Sequence, residues 1–305
     1  MVIQFGDDCT GLSAPILALK KLGKKIKYVF MSEIDNDLRE HIRIKHKPEL
    51  VFDDITKRDH TKLPKIDLYV SGFPCQSFST VGKNQGFKTN QGIIFFHCFR
   101  TIEETKPKYF ILENVKGLLT HESGKTLQTI KKYLSKLKEY QIHYEIINSK
   151  YFVPQDRERI YIIGVRDLKK KYNFKTYPTQ ITHIKDIVDK KNKTVKHLIP
   201  TKKKLLNDVV IKKNINLNDW WVINLNTSGV SYATARKNLS PTILTSSQMY
   251  YITPLKRFLT INELLKLQGF NNYDLSFLTK TKQFRSVGNT MTIDVFVYIF
   301  TQLQL

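Results

Sequence analysis

A cysteine at position 75 stands within the segment DLYVSGFPCQSFS, residues 67–79. An apolar strand over 67–71 runs directly into Gly72, Phe73 and Pro74, so a tight turn stiffened by proline would hold the thiol at the mouth of a strand. A cysteine held there can attack an electron-poor ring carbon, because its thiolate is potent near neutral pH and can leave again. A lone cysteine could equally be a buried structural residue. The flanking PCQ, after a strand and before a loop containing Gly82, Lys83, Gly86 and Lys88, favours the nucleophile. Glu113 closes the apolar run 109–112 and is expected on the same rim, where its carboxyl group could donate and accept hydrogen bonds or cap the following turn. Arg157 and Arg159 lie two apart on an extended segment and so point to one face. Two further acids, Glu33 and Asp54, follow apolar strand regions; each could receive ligand hydrogen bonds or serve as an ordinary cap or turn residue.

These residues need strands to bring them together, and the first 165 residues supply the pattern. Short apolar runs at 2–5, 28–31, 67–71, 109–112 and 160–165 alternate with helical spacings over 14–21, 36–45 and 93–105. Leu127, Ile130, Leu134 and Leu137 step at helical intervals and predict an amphipathic helix. Such alternation predicts an α/β fold with a mostly parallel sheet covered on both faces, where ligands sit at the carboxyl ends of strands. Beyond residue 165 the pattern changes. Residues 166–215 hold 15 Lys/Arg and 4 Asp/Glu, a net of +11, and predict a small basic module, although such a run can also be a solvated face. Order returns at 220–225, a helix is expected around 261–267, and 290–305 reads as a helix packing back on the first domain.

The whole chain of 305 residues carries 50 Lys plus Arg against 27 Asp plus Glu, a net of +23, which calls for a polyanionic partner. Three cysteines, Cys9, Cys75 and Cys98, exclude a disulfide-stapled scaffold and a Cys-only zinc site. No apolar run is long enough to span a membrane and the first residues do not read as a signal peptide. The expectation is therefore a soluble intracellular protein, cytoplasmic or nuclear, that acts as a monomer without metal.

Taken together in order, the short motifs resemble those of the C5-cytosine DNA methyltransferase family. GFPCQSFS at 72–79 looks like its nucleophile motif, FILENV at 110–115 like its ENV motif, and QDRER at 155–159 like its QxRxR motif. RFLT at 257–260 with LQGF at 267–270 is similar to the motif preceding the final stretch, and GNT at 288–290 to the closing motif. The resemblance runs along most of the chain. It implies a Rossmann-like methyltransferase domain over 1–166 and 284–305, interrupted by a target-recognition domain over 167–283.

The resemblance also implies the chemistry. Cys75 would add to C6 of a cytosine flipped out of duplex DNA, and Glu113 would bind the ring N3 and the exocyclic amine. Arg159 would hold the ring carbonyl oxygen, and Arg157 would order the nucleophile loop or a phosphate. The methyl donor would be S-adenosylmethionine, approached by Asp7, Cys9, Gly11, Ser13, Glu33, Ile34, Asp54, Ile55, Pro74, Ile94, Asn289 and Thr290. Cys9 and Ser13 depart from the family's D-x-F-x-G-x-G turn, which expects an aromatic residue and a second glycine there. DNA contacts are expected from Gln76, Ser79, Lys83, Lys88, Gln155 and Arg257, with 80–91 as a lid or a plain surface loop. Restriction-modification, viral and epigenetic roles all fit. The alternatives are a tRNA cytosine-5 methyltransferase of the same family, whose Cys-Phe-Thr signature is not found here, and a catalytically dead DNA-binding relative.

Overall fold

A computed structural model of the chain describes residues 2–74, 93–174, 176–178, 182–192, 198–246 and 248–305. The described residues form two compact units, one of residues 1–147, 158–175 and 296–305, the other of 148–157 and 176–295. Compared with the domains expected from the sequence, residues 148–157 and 284–295 pack within the second unit.

The first unit is built on β1 (Val2–Asp8), β2 (Lys25–Ser32), β3 (Leu50–Phe52), β4 (Leu68–Ser71), β5 (Tyr109–Val115), β6 (Gln141–Asn148) and, after the two-residue β7 (Gln155–Asp156) of the second unit, β8 (Glu158–Val165). Their order is β3-β2-β1-β4-β5-β8-β6. β1 to β5 are parallel, and β8 runs antiparallel to β5, so the sheet is mixed and mostly parallel, as expected. The central strands carry near-continuous apolar runs because both faces are covered; all four residues of β4 are buried. Gly164 in β8 has a local reason, since a Cβ there would lie 1.9 Å from the Phe110 ring on the neighbouring strand.

Helices α1 (Ala14–Lys21), α2 (Asn36–His46), α3 (Ile94–Thr105) and α4 (Lys125–Leu134) connect these strands. In α3 the buried Phe95, Cys98, Phe99 and Ile102 recur at helical spacing and join the core formed by Phe73, Phe110, Leu112, Ile130 and Leu134. One strand escaped the sequence pattern: β6 is an edge strand whose residues are mostly half-buried, so it carries no long apolar run. The three-residue β3 is the apolar strand region expected ahead of Asp54.

The second unit contains α5 (Ile184–Ile187), α6 (Pro200–Lys212), β9 (Trp221–Asn224), β10 (Ala235–Lys237), β11 (Ser240–Pro241), β12 (Tyr250–Ile252), β13 (Arg257–Phe258), α7 (Ile261–Lys266) and α8 (Lys280–Asn289). A four-stranded sheet of order β10-β9-β12-β13 shares its own core with α6 through Leu205, Leu206, Val209, Ile223 and Leu225. β7 pairs with β11 as a separate two-stranded ribbon. The last helix, α9 (Ile293–Gln302), begins in the second unit and ends in the first, where Phe296 stacks edge-on against Tyr161 of β8. Among the described residues no helix is long and apolar enough to cross a membrane.

Candidate active site

Because β1 to β5 all run one way, the residues following their carboxyl ends collect on one rim of the sheet in the first unit. β8 runs the other way, so the start of that strand reaches the same rim. Val115 pairs with Arg159 and Glu113 with Tyr161 across the β5–β8 ladder. Glu113 and Arg159 are therefore diagonal neighbours on one face. Their side chains meet, with Arg159 Nε 3.3 Å from Glu113 Oε1. Arg159 also donates through Nη1 to the carbonyl oxygen of Glu158 at 2.8 Å. Glu113 is 8% exposed, so its carboxylate is held largely out of water beside a fixed positive charge. A pair of this kind presents one acceptor group and several donors side by side.

Asn114, between them in the chain and assigned no role from the sequence, faces the other side of β5. Its Nδ2 donates to the carbonyl oxygen of Phe73 at 3.2 Å, and its Oδ1 accepts from the Val115 amide at 2.8 Å. The side chain thereby ties the Glu113 strand to the segment that leads into Pro74 and position 75. Its place between Glu113 and Val115 was the available signal. Phe73 is buried and anchors that segment against Phe95. Cys75, Gln76, Ser79, Lys83, Lys88 and the loop 80–91 lie outside the described residues.

Further along the rim are the residues expected at the cofactor. Gly11 and Ser13 form the turn between β1 and α1, both with positive φ, 55° and 60°. The Gly11 amide donates to Glu33 Oε2 at 2.8 Å, and the Asp35 amide donates to Glu33 Oε1 at 3.0 Å. Burial pushes the Glu33 carboxyl up, and these backbone donors oppose it. Asp35 caps α2, so Glu33 is not the cap of that helix. Ile34 beside it is 78% exposed, a large apolar side chain standing open at the end of β2.

Asp54 Oδ1 accepts from the amide and the hydroxyl of Thr56 at 2.9 and 2.8 Å, which closes the turn after β3. Burial would raise this carboxyl, but the Thr56 hydrogen bonds and nearby Lys57 outweigh it and hold it low. Ile55 is buried beneath that turn, while Pro74 and Ile94 are partly exposed. Asp7 is buried and accepts from Tyr28 Oη at 2.5 Å and Thr10 Oγ1 at 3.0 Å. Burial pushes its carboxyl up to about 8. Asp7 Oδ2 and Ser13 Oγ are buried with no hydrogen-bond partner among the described residues. An adenosine-bearing cofactor fits this donor set, which offers an acidic group after β2, another after β3, and the exposed Ile34 beside the first. Cys9, half-buried, occupies the position where an aromatic side chain was expected.

The second unit holds the remaining expected site residues, and several have structural partners. Arg157 is buried, and its guanidinium donates to the carbonyl oxygens of Ile243, Gly288 and Thr290 at 3.0, 3.2 and 3.1 Å. Those contacts make it a brace within this unit, whereas Arg159 stands in the first. Gln155 is fully buried and reaches Leu267, Gln268 and Ile243, which leaves it no face for DNA. Arg257 is 1% exposed and forms a two-pronged ion pair with Glu263 at 2.8 and 2.6 Å. Its expected contact with DNA is therefore replaced by an internal one. Asn289 is exposed and Thr290 buried at the end of α8. The glycine before them is dictated by packing, since a Cβ on Gly288 would lie 2.4 Å from the Leu244 carbonyl oxygen.

A sequence profile described as C-5 cytosine-specific DNA methylase matches residues 3–305. The orphan methyltransferase M.Rho11sI of Bacillus phage rho11s is 45% identical over 161 residues, covering 52% of this chain and 32% of the relative. The type II methyltransferase M1.ScrFI of Lactococcus lactis subsp. cremoris is 32% identical over 282 residues, covering 88% of this chain and 70% of the relative. The chain thus spans about a third of the phage relative's length and over two thirds of the Lactococcus one. Among solved structures, the Entamoeba histolytica methyltransferase EhMeth superposes with a TM-score of 0.72 at 17% identity, over 99% of both chains. That likeness establishes the fold.

Proposed function

The chain belongs to the C-5 cytosine-specific DNA methylase family, and on that premise we propose that it transfers a methyl group from S-adenosylmethionine to C5 of a cytosine in duplex DNA. The observation that carries this reading is the Glu113–Arg159 pair at the strand rim, 3.3 Å apart with Glu113 buried and Arg159 partly so, beside an asparagine that grips the segment leading to position 75.

Cys75 is the proposed nucleophile. Its thiolate adds to C6, forming a carbon–sulfur bond and moving the ring electron pair toward C5. Glu113, in its protonated form, donates to the ring N3 and also accepts from the exocyclic amine. Both interactions strengthen as charge shifts into the ring. Arg159 donates to the ring carbonyl oxygen, and the two residues keep each other oriented before the base enters. S-adenosylmethionine, when bound, supplies an activated sulfonium methyl group for the electron-rich C5. A base then takes the C5 proton, and the released electron pair restores the ring double bond and expels the Cys75 sulfur. The target carbons lie inside the duplex stack, so the cytosine must first be swung out. Glu33 would hold the ribose hydroxyls of the cofactor, Asp54 the adenine amine, and Ile34 the apolar face of the ring. The net charge of +23 suits the phosphate backbone, and binding should weaken steeply with salt.

The test is transfer of labelled methyl to duplex DNA and, in parallel, to tRNA. Incorporation into DNA is expected, with covalent trapping on DNA that carries 5-fluorocytosine at the target, because elimination is then blocked. Cys75→Ala should abolish both signals and retain cofactor binding. Transfer to tRNA alone would move the protein to the other branch of the chemistry. Full activity in Cys75→Ala would refute the mechanism.

A further inference from the structure

Beneath the cofactor rim lies a buried ion pair that no part of the proposed chemistry uses. Asp8, the last residue of β1, and Arg58, four residues beyond Asp54, have side chains 0% and 1% exposed. The guanidinium donates from Nη1 to Asp8 Oδ1 and from Nη2 to Asp8 Oδ2, both at 2.6 Å. It is flanked by the rings of Phe30 and Phe52, with centroids 5.1 and 5.3 Å away. Asp8 also accepts from Ser32 Oγ at 2.6 Å and Tyr69 Oη at 2.7 Å. On its far side Arg58 Nη2 reaches Thr101 Oγ1 of α3 at 2.6 Å. Thr101 in turn meets His60 Nδ1 at 3.1 Å, and His60 Nε2 faces His97 Nδ1 at 3.2 Å.

Burying two charges gains little stability over a well-packed apolar pair of the same volume, because desolvation offsets their attraction. What such a pair does supply is direction. Every group joined to it stands close in sequence to a residue of the proposed cofactor site. Asp8 immediately precedes the turn that begins with Cys9, and Ser32 immediately precedes Glu33. Tyr69 lies in β4, which leads to Pro74, while Thr101 lies on the helix that starts at Ile94. Apolar packing alone would let these segments slide relative to one another. Hydrogen bonds of fixed geometry converging on one carboxylate do not.

We propose that the Asp8–Arg58 pair is the positioning element of the adenosine half of the cofactor site, locking the ends of β1 and β2, the Asp54 turn and α3 in their binding arrangement before the cofactor arrives. The proposal rests on the cofactor reading given above. Neither residue touches the cofactor in this view; each acts through Glu33 and Asp54, which do. Pre-organisation of this kind raises affinity by removing the ordering cost from the binding step.

The double variant Asp8→Asn/Arg58→Met tests it. The amide oxygen keeps an acceptor for Ser32 or Tyr69, and no buried charge is left alone. The expected result is a rise of about tenfold in both Kd and KM for S-adenosylmethionine, with kcat and the KM for DNA within about twofold of wild type. A purely structural role would lower the amount of folded enzyme without this split. A rise below about threefold in folded variant overturns the proposal. A measurement on the unaltered protein stands independently of whether the variant folds: hydrogen exchange at the Gly11 and Glu33 amides without cofactor. Those amides should already be protected to within about threefold of the cofactor-bound level, and a larger gain on binding overturns pre-organisation. Wild-type protein that binds no S-adenosylmethionine overturns the cofactor reading and this proposal with it. Wild type that binds, beside a double variant that binds equally well, overturns this proposal alone.

Discussion

Asn114 Nδ2 hydrogen-bonds the carbonyl oxygen of Phe73 at 3.2 Å, so the strand that carries Glu113 is fastened to the chain just ahead of position 75. Two residues proposed to act on opposite edges of one pyrimidine ring are thereby linked through a single amide. Asn114→Leu keeps the size of the side chain and removes the donor. Its expected effect is a fall of about 10- to 100-fold in kcat, in line with small misplacements of reacting groups, with cofactor affinity unchanged. Single-turnover methyl transfer alongside calorimetric cofactor binding measures both.

Glu113→Gln preserves shape and can no longer supply a proton while still accepting at the exocyclic amine. Loss of one charge-stabilising group in a buried site costs roughly 10²–10³ in rate, and that is the expected fall in kcat. The neighbouring Arg159 loses its ion-pair partner, so the variant should also lose affinity for the flipped base. Trapping yield on 5-fluorocytosine DNA, compared with wild type at equal time, reads this directly. An unchanged yield would contradict the assignment.

Arg157 and Arg159, two residues apart, should behave oppositely. Arg157 serves three buried carbonyl oxygens, so Arg157→Met should cost about 2–4 kcal/mol of stability. Arg159→Met leaves those bonds alone and, because its ion pair with Glu113 is partly exposed, should cost less stability than Arg157→Met while sharply reducing methyl transfer. Urea midpoints and rates measured on both variants separate a brace from a ligand to the substrate.

Asp7 makes stability depend on pH. Its carboxyl is raised by burial from an ordinary 3.8 to about 8, so the folded state binds its proton more tightly than the unfolded state. Its contribution is therefore complete below about pH 4 and is lost as pH rises toward 8, by about 1.4 kcal/mol per unit within that window. Asp7→Asn cannot ionise. Denaturation of the variant at pH 5 and pH 8 should show this decline removed, with the gap over wild type widening toward pH 8.

Ser13 sits at φ 60°, a left-handed conformation that suits glycine, and its hydroxyl is buried without a partner among the described residues. Ser13→Gly should therefore raise stability by about 1 kcal/mol, seen as a higher urea midpoint. The same change restores the residue expected in this turn from the family resemblance.

The sequence alone determined the strand–helix alternation, because apolar runs of period two and apolar steps of period three to four are local properties. It also singled out Glu113, Arg159, Glu33 and Asp54 as candidates, since each stands at or near the end of an element whose direction sets the rim. It could not separate Arg157 from Arg159, whose types and spacing look alike. Only tertiary packing decided that one guanidinium meets Ile243, Gly288 and Thr290 while the other meets Glu113. Arg257 and Gln155 were misjudged for the same reason, as solvent exposure depends on partners more than 100 positions away in the case of Gln155 and Leu267. Asp8 and Arg58 carried no signal at all: their meaning lies in a contact across 50 residues, and a charge in sequence looks solvated until the fold closes over it.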